Sequence, residues 1–116
     1  MTKDLRIKKE IARLRKIFAN LPKDKIDTAA SLIRNAAFMT ITLDDLQSAM
    51  NENGVISEYQ NGENQWGTKK SPEVEIYNTM IKNHMAIIKQ LCDMLPDDKA
   101  KDAADELMEF VKKARK

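Results

Sequence analysis

Ser71-Pro72-Glu73-Val74-Glu75-Ile76-Tyr77-Asn78-Thr79-Met80-Ile81-Lys82-Asn83-His84-Met85-Ala86-Ile87-Ile88-Lys89-Gln90-Leu91-Cys92-Asp93-Met94-Leu95-Pro96 is the stretch that decides the fold. Ser71 suits an N-cap, Pro72 suits the first helical position, and Glu73 and Glu75 suit the positive end of a helix dipole. From Val74 an apolar seam runs through Tyr77, Ile81, His84, Ile88, Leu91 and Leu95 at steps of four and three. A second line, Ile76, Met80, Ile87 and Met94, widens it, and the polar stripe is reduced to Glu75, Thr79, Lys82, Lys89 and Asp93. An arc this wide asks for cover on two sides, over a helix roughly 33 Å long at about 1.5 Å per residue.

Working towards the N-terminus, residues 24–53 carry Ile26, Ala29, Ala30, Ile33, Ala36 and Ala37 on one face, small residues that permit close helix approach. Phe38 to Thr42 is apolar and β-branched without a clean period, which invites a kink or break; Leu43, Leu46 and Met50 then resume the pattern. Asn53-Gly54 reads as a helix C-cap. Asp4 to Asn20 forms a narrower amphipathic helix with Ile7, Ile11, Leu14, Phe18 and then Leu21 as its seam, and Leu21-Pro22 ends it. Beyond Pro96 a last amphipathic segment, Asp98 to Arg115, places Ala100, Ala103, Ala104, Leu107, Phe110, Val111 and Ala114 on one face.

Between the central helices, residues 55–70 open with a strand-like Val55 to Gln60, and Asn61-Gly62 is a type I′ turn signal. The return, Glu63 to Gly67, is poor in β-formers. The expected fold is therefore all-α. It is a long antiparallel helical hairpin with flanking N- and C-terminal helices and a short irregular β-hairpin-like loop between the central helices. One domain is expected: a basic N-terminal helix at 1–22, the hairpin at 24–95 with its loop at 55–70, and a C-terminal helix at 97–116.

Composition narrows the function. Three Gly and three Pro among 116 residues, with 5% aromatics, argue against a sandwich or barrel; one Cys excludes an internal disulfide, and one Cys with one His excludes the usual Cys/His zinc sites. No apolar run is long enough for a membrane span, and the basic N-terminus leads into no signal-like apolar segment. A cytoplasmic protein without cofactor or metal is the expectation. Gly62 and Gly67, followed by Thr68-Lys69-Lys70-Ser71, nearly reproduce the phosphate-binding GxxxxGK[ST], but Thr68 displaces the required Lys and no parallel sheet is expected before it. Cys92 reads as a small buried hydrophobe. His84, alone in an apolar seam, reads as a packed, hydrogen-bonded residue or as one that fixes register between paired helices. No catalytic constellation is found, so no enzymatic activity is expected.

Charge is distributed unevenly. Residues 1–25 hold nine bases against three acids, a surplus of six in a chain whose net charge is +2, so the remainder is negative by four. Arg6, Lys9, Arg13 and Lys16 step by three, four and three away from the Ile7/Ile11/Leu14/Phe18 seam. Such a stripe is an ordinary solvated face or, as the candidate contact, a track for a phosphate backbone. Thr42 to Ala49 followed by Gly54-Val55 has the start of a helix-turn-helix, yet the next residues, Tyr59-Gln60-Asn61-Gly62, break helices.

The order of features from Leu46 to Pro96 is specific: a helix closing on Asn53-Gly54, a polar excursion with Asn61-Gly62, Ser71-Pro72 opening a long helix, and Leu91 to Leu95 running into Pro96. This stretch resembles the small subunits of bacteriophage terminases, in the branch with a long helical hairpin. The run from Tyr59 to Glu73 is similar to such proteins of phages and prophages of Gram-positive bacteria. The resemblance implies a non-enzymatic subunit in the host cytoplasm that assembles into a homo-oligomeric ring. It also implies that the ring engages viral DNA and works with a terminase large subunit carrying the ATPase and nuclease. On that reading Arg6, Lys9, Arg13 and Lys16 contact DNA, and Tyr77, Ile81, His84, Ile88, Leu91 and Leu95 form the oligomer interface. The alternatives are a phage or host DNA-binding transcriptional regulator that reads DNA through Thr42–Val55, and a purely structural helical assembly protein.

Overall fold

The structure is a computed structural model that describes residues 1–54, 56–60, 66–96, 103 and 105–107. Three helices dominate it: α1 (Lys3–Ile17), α2 (Ile26–Asn53) and α3 (Pro72–Asp93). Between α2 and α3 lie two short strands, β1 (Ile56–Gln60) and β2 (Trp66–Lys70), paired antiparallel with Ile56 opposite Lys70 and Gln60 opposite Trp66. The Asn61-Gly62 turn signal lies outside the described residues. So does most of the expected C-terminal helix; Ala103 and Asp105–Leu107 are helical, with Ala103 buried in the core.

Thr2 caps α1, its hydroxyl accepting from the Leu5 amide at 3.2 Å. Expected to reach Asn20, the helix stops at Ile17, and Phe18 is its C-cap, donating its amide to the Leu14 carbonyl at 2.9 Å. The early stop frees the backbone to turn before Pro22. A single 3-10 turn at Lys23–Lys25 then delays the start of α2 to Ile26. No break interrupts α2 at Phe38–Thr42. Thr40 returns its hydroxyl to the Ala36 carbonyl at 2.9 Å, so the β-branched run is absorbed within a continuous helix.

At its far end α2 closes on Gly54, whose amide bonds the Met50 carbonyl at 2.8 Å. With φ +79° and ψ 174°, Gly54 occupies backbone space reserved almost wholly for glycine, distinct from the usual left-handed cap. Ser71 stands at the N-cap of α3 without capping it through its side chain. Its buried hydroxyl instead donates to the Glu73 carboxylate, and this bond, followed by the Glu73 amide, holds that carboxyl below the usual carboxylate range.

Both α1 and α3 pack on α2. The core joins Leu14 and Phe18 of α1, Ala29, Ile33, Ala36 and Ala37 of α2, and Leu91 and Leu95 at the end of α3. Alanine on α2 is what lets two helices approach it closely: Ala36 and Ala37 are fully buried. Ile7, Ile11, Ile17, Ile87 and Ile88 pack around this centre half-exposed.

Candidate nucleic-acid interface

The basic residues of α1 divide into two groups. Arg6 reaches across to α2 as a fork, Nη1 donating to Asp45 at 2.7 Å and Nη2 to Asp44 at 2.8 Å. These bonds raise the guanidinium pKa further, the Asp45 hydrogen bond contributing most. Lys3 joins the same group, 4.0 Å from Asp45 and 5.0 Å above the Phe38 ring. Arg13 turns to Glu10, its Nη2 donating to Oε2 at 3.0 Å while its Nε bonds Oε1. Glu10 is only 6% exposed, and this bidentate pairing supplies hydrogen bonds to both of its carboxylate oxygens.

Lys8, Lys9, Arg15 and Lys16 form the second group. All four are exposed, and among the described residues none has an ion-pair partner. They fall in two adjacent pairs seven residues, or about 10.5 Å, apart, flanking exposed Leu5, Ala12 and Ala19. Of the stripe expected from sequence, Lys9 and Lys16 stand on this face. Arg6 and Arg13 do not: Arg6 is engaged with Asp44 and Asp45 of α2 and Arg13 with Glu10 of its own helix, so the outward cationic face consists instead of Lys8, Lys9, Arg15 and Lys16. A sequence signal exists for Arg13 alone, because Glu10 sits three residues before it, the spacing at which an acid neutralises a helix neighbour.

On α3 the expected interface residues meet different surroundings. Leu91 and Leu95 are buried, 0% and 6% exposed, in the chain's own core, and Ile88 packs against it. These residues therefore lie where α2 and α1 already cover them. His84 is also committed internally, its Nε2 2.9 Å from Thr40 Oγ1. Burial lowers its pKa; Glu10 opposes that shift and Arg13 reinforces it. Tyr77 and Ile81 remain half-exposed. The residues more exposed still are Ile76 and Met85, at 50% and 65%, with Phe38 of α2 at 48%.

The other sequence motifs resolve simply. Gly67-Thr68-Lys69-Lys70 belongs to strand β2, so this segment is extended where a phosphate loop would begin its helix; Gly62 lies outside the described residues. After Gly54 the chain enters β1, and no second helix follows Thr42–Val55 in the manner of a helix-turn-helix. Cys92 is half-buried, and burial, with Asp93 adding to it, pushes its thiol up, the direction opposite to that of a nucleophile. Among the described residues no His/Cys/Asp/Glu group is placed to hold a metal ion, and no helix is long and apolar enough to cross a membrane.

Comparison with known protein families, with curated proteins and with solved structures finds no match.

Proposed function

We propose that the chain is a non-enzymatic DNA-packaging protein, the small subunit of a phage terminase. In this reading it forms a homo-oligomeric ring in the host cytoplasm, built on its helical hairpin, and presents viral DNA to the ATPase- and nuclease-bearing large subunit. The observation that carries the reading is the outward face of α1, with Lys8, Lys9, Arg15 and Lys16 exposed while the neighbouring Arg6 and Arg13 are held by carboxylates. Neutralising phosphates with such a face requires no base contact and gives binding that weakens steeply with salt. Repetition of the face around an oligomer turns weak single-subunit attraction into useful avidity.

Assembly is supported by the shape. The radius of gyration is 17.9 Å, against about 13 Å for a compact chain of this length. Half-exposed Tyr77 and Ile81 lie where a second copy would supply the missing cover, so the interface in this reading shifts away from Leu91 and Leu95. A structural assembly protein with no nucleic-acid role is the second reading, favoured by the exposed Phe38, Ile76 and Met85.

Light scattering and duplex-DNA titration test the two readings. The first expects a mass several times that of the monomer, reduced by Ile81→Asp without loss of helix content. It also expects log affinity to fall with log salt at a slope of roughly 3 to 4 per subunit for four phosphate contacts. Replacing Lys8, Lys9, Arg15 and Lys16 with Gln should flatten that slope, whereas replacing Arg6 and Arg13 should change it much less. A large assembly indifferent to DNA would favour the structural reading, and a monomer with no DNA affinity would overturn both.

A further inference from the structure

Midway along the three-helix region, a polar junction interrupts the apolar packing. Thr40 of α2 has one hydroxyl hydrogen, and it is given to the Ala36 carbonyl at 2.9 Å. Only lone pairs remain on Thr40 Oγ1 for His84 Nε2, also at 2.9 Å. The hydrogen of that contact therefore belongs to the imidazole: Nε2 donates, and in the neutral ring Nδ1 is bare. The charged groups acting on the ring come from α1, where Glu10 and Arg13 are already bound to each other by two hydrogen bonds; Thr40, the contact from α2, is uncharged.

We propose that His84, held as its neutral Nε2–H tautomer by Thr40, is a proton-sensitive pin between α2 and α3, and that a second proton taken at Nδ1 loosens their packing. The added charge enters a half-buried site where burial opposes it, Glu10 attracts it and Arg13 repels it. The bond to Thr40 is unchanged by the proton, and among the described residues no new bond compensates for the lost hydration.

The sign follows from linkage. An unfolded histidine titrates near 6.5, and burial holds His84 below that value in the folded chain. The native state therefore binds this proton less readily than the unfolded state does. Stability is complete above the unfolded value, falls as pH drops through about 6.5 towards the folded value, and levels off below it, with a limiting slope of tenfold in the folding constant per pH unit.

Since His84 is the sole histidine of the chain, its imidazole nitrogens can be followed without assignment by long-range proton–nitrogen spectra. The full chain should show Nε2–H at pH 7.5 and titrate below about 6.5, and its urea midpoint should fall between pH 7.5 and 5.5. His84→Gln keeps an amide donor for Thr40 and should lose that pH dependence while retaining the helices. A ring protonated at Nδ1 at pH 7.5, a midpoint at or above the ordinary histidine value, or an unchanged pH slope in His84→Gln would each overturn the proposal. Should His84→Gln not fold, the spectra of the unsubstituted chain decide the question alone.

Discussion

The two ends of the α2–α3 pair use similar residues and reach different degrees of burial. Near the start of α2 and the end of α3, Ala29, Ile33, Ala36 and Ala37 close on Leu91 and Leu95, and Leu14 and Phe18 of α1 complete the shell. Past Leu43 of α2, Leu46 and Met50 stay half-exposed, as do Val74, Tyr77, Met80 and Ile81 of α3. The difference lies in α1. Its 15 residues span about 22 Å, whereas α2 with 28 residues and α3 with 22 span about 42 and 33 Å. Two helices can share only a strip of contact; a third is needed to enclose a core, and α1 is too short to provide it along the whole pair.

If that comparison is right, truncating equivalent seam residues should cost unequal amounts. Leu91→Ala, inside the three-helix region, should destabilise the chain by about 2–5 kcal/mol. Ile81→Ala, half-exposed on the same helix, should cost about 1 kcal/mol. Urea unfolding of both variants under one set of conditions measures the contrast. Equal losses in the dissociated single chain would overturn the comparison, whereas in an oligomer that covers Ile81 the contrast should shrink as protein concentration rises.

Overpacking probes the same contrast with the opposite sign of volume. Ala36 has no exposed surface, so Ala36→Leu should force its neighbours apart at about 1–3 kcal/mol. Ala49, half-exposed on the outer half of α2, should accept leucine with little change. A thermal melt showing the reverse order would place the tight packing at the wrong end.

How much of this was readable beforehand depends on range. The seams of α1 and α3 and the small-residue face of α2 follow from periodicity alone, because each reports on a single helix. What covers a seam does not: Leu91 and Leu95 have the pattern of an interface, and only the path of α1 decides that their partner is within the chain. Arg6 illustrates the same gap, since its partners Asp44 and Asp45 lie on another helix and leave no local trace. Ser71 shows a finer failure. Residue type and position suit a cap, but a nearby carboxylate, Glu73, competes for the hydroxyl. The outward face of α1 was half legible, Lys9 and Lys16 from their spacing, while Lys8 and Arg15 emerge once Glu10 is known to be buried.

The junction between arm and strands offers a smaller effect. Gly54→Ala meets no atom within 4 Å of the added Cβ, so its whole cost is the backbone conformation, φ +79°. About 1 kcal/mol is expected, the low end for such positions, because the last turn of α2 can fray to relieve it. The loss should appear as faster amide exchange near Met50 and leave Leu91 protected. Loss of protection at both places would show that the two regions unfold as one unit.

The smallest effect should come from the fork at the border between the regions. Arg6 of α1 meets Asp44 and Asp45 of α2, and its side chain remains 28% exposed, that of Asp44 66%. Exposed ion pairs gain little because water screens them and two long side chains must be held still. Arg6→Gln should therefore shift the melting temperature only slightly at low salt. At 1 M salt, where the screening length is about 3 Å, the remaining difference should nearly vanish, because it is electrostatic in origin. The apolar contacts of Leu14 and Phe18, which salt does not weaken, would then be what seats α1. A large loss persisting at 1 M salt would instead make the fork the anchor of α1, and the boundary between the closed and open regions would have to be drawn at Asp45 for reasons of charge rather than of helix length.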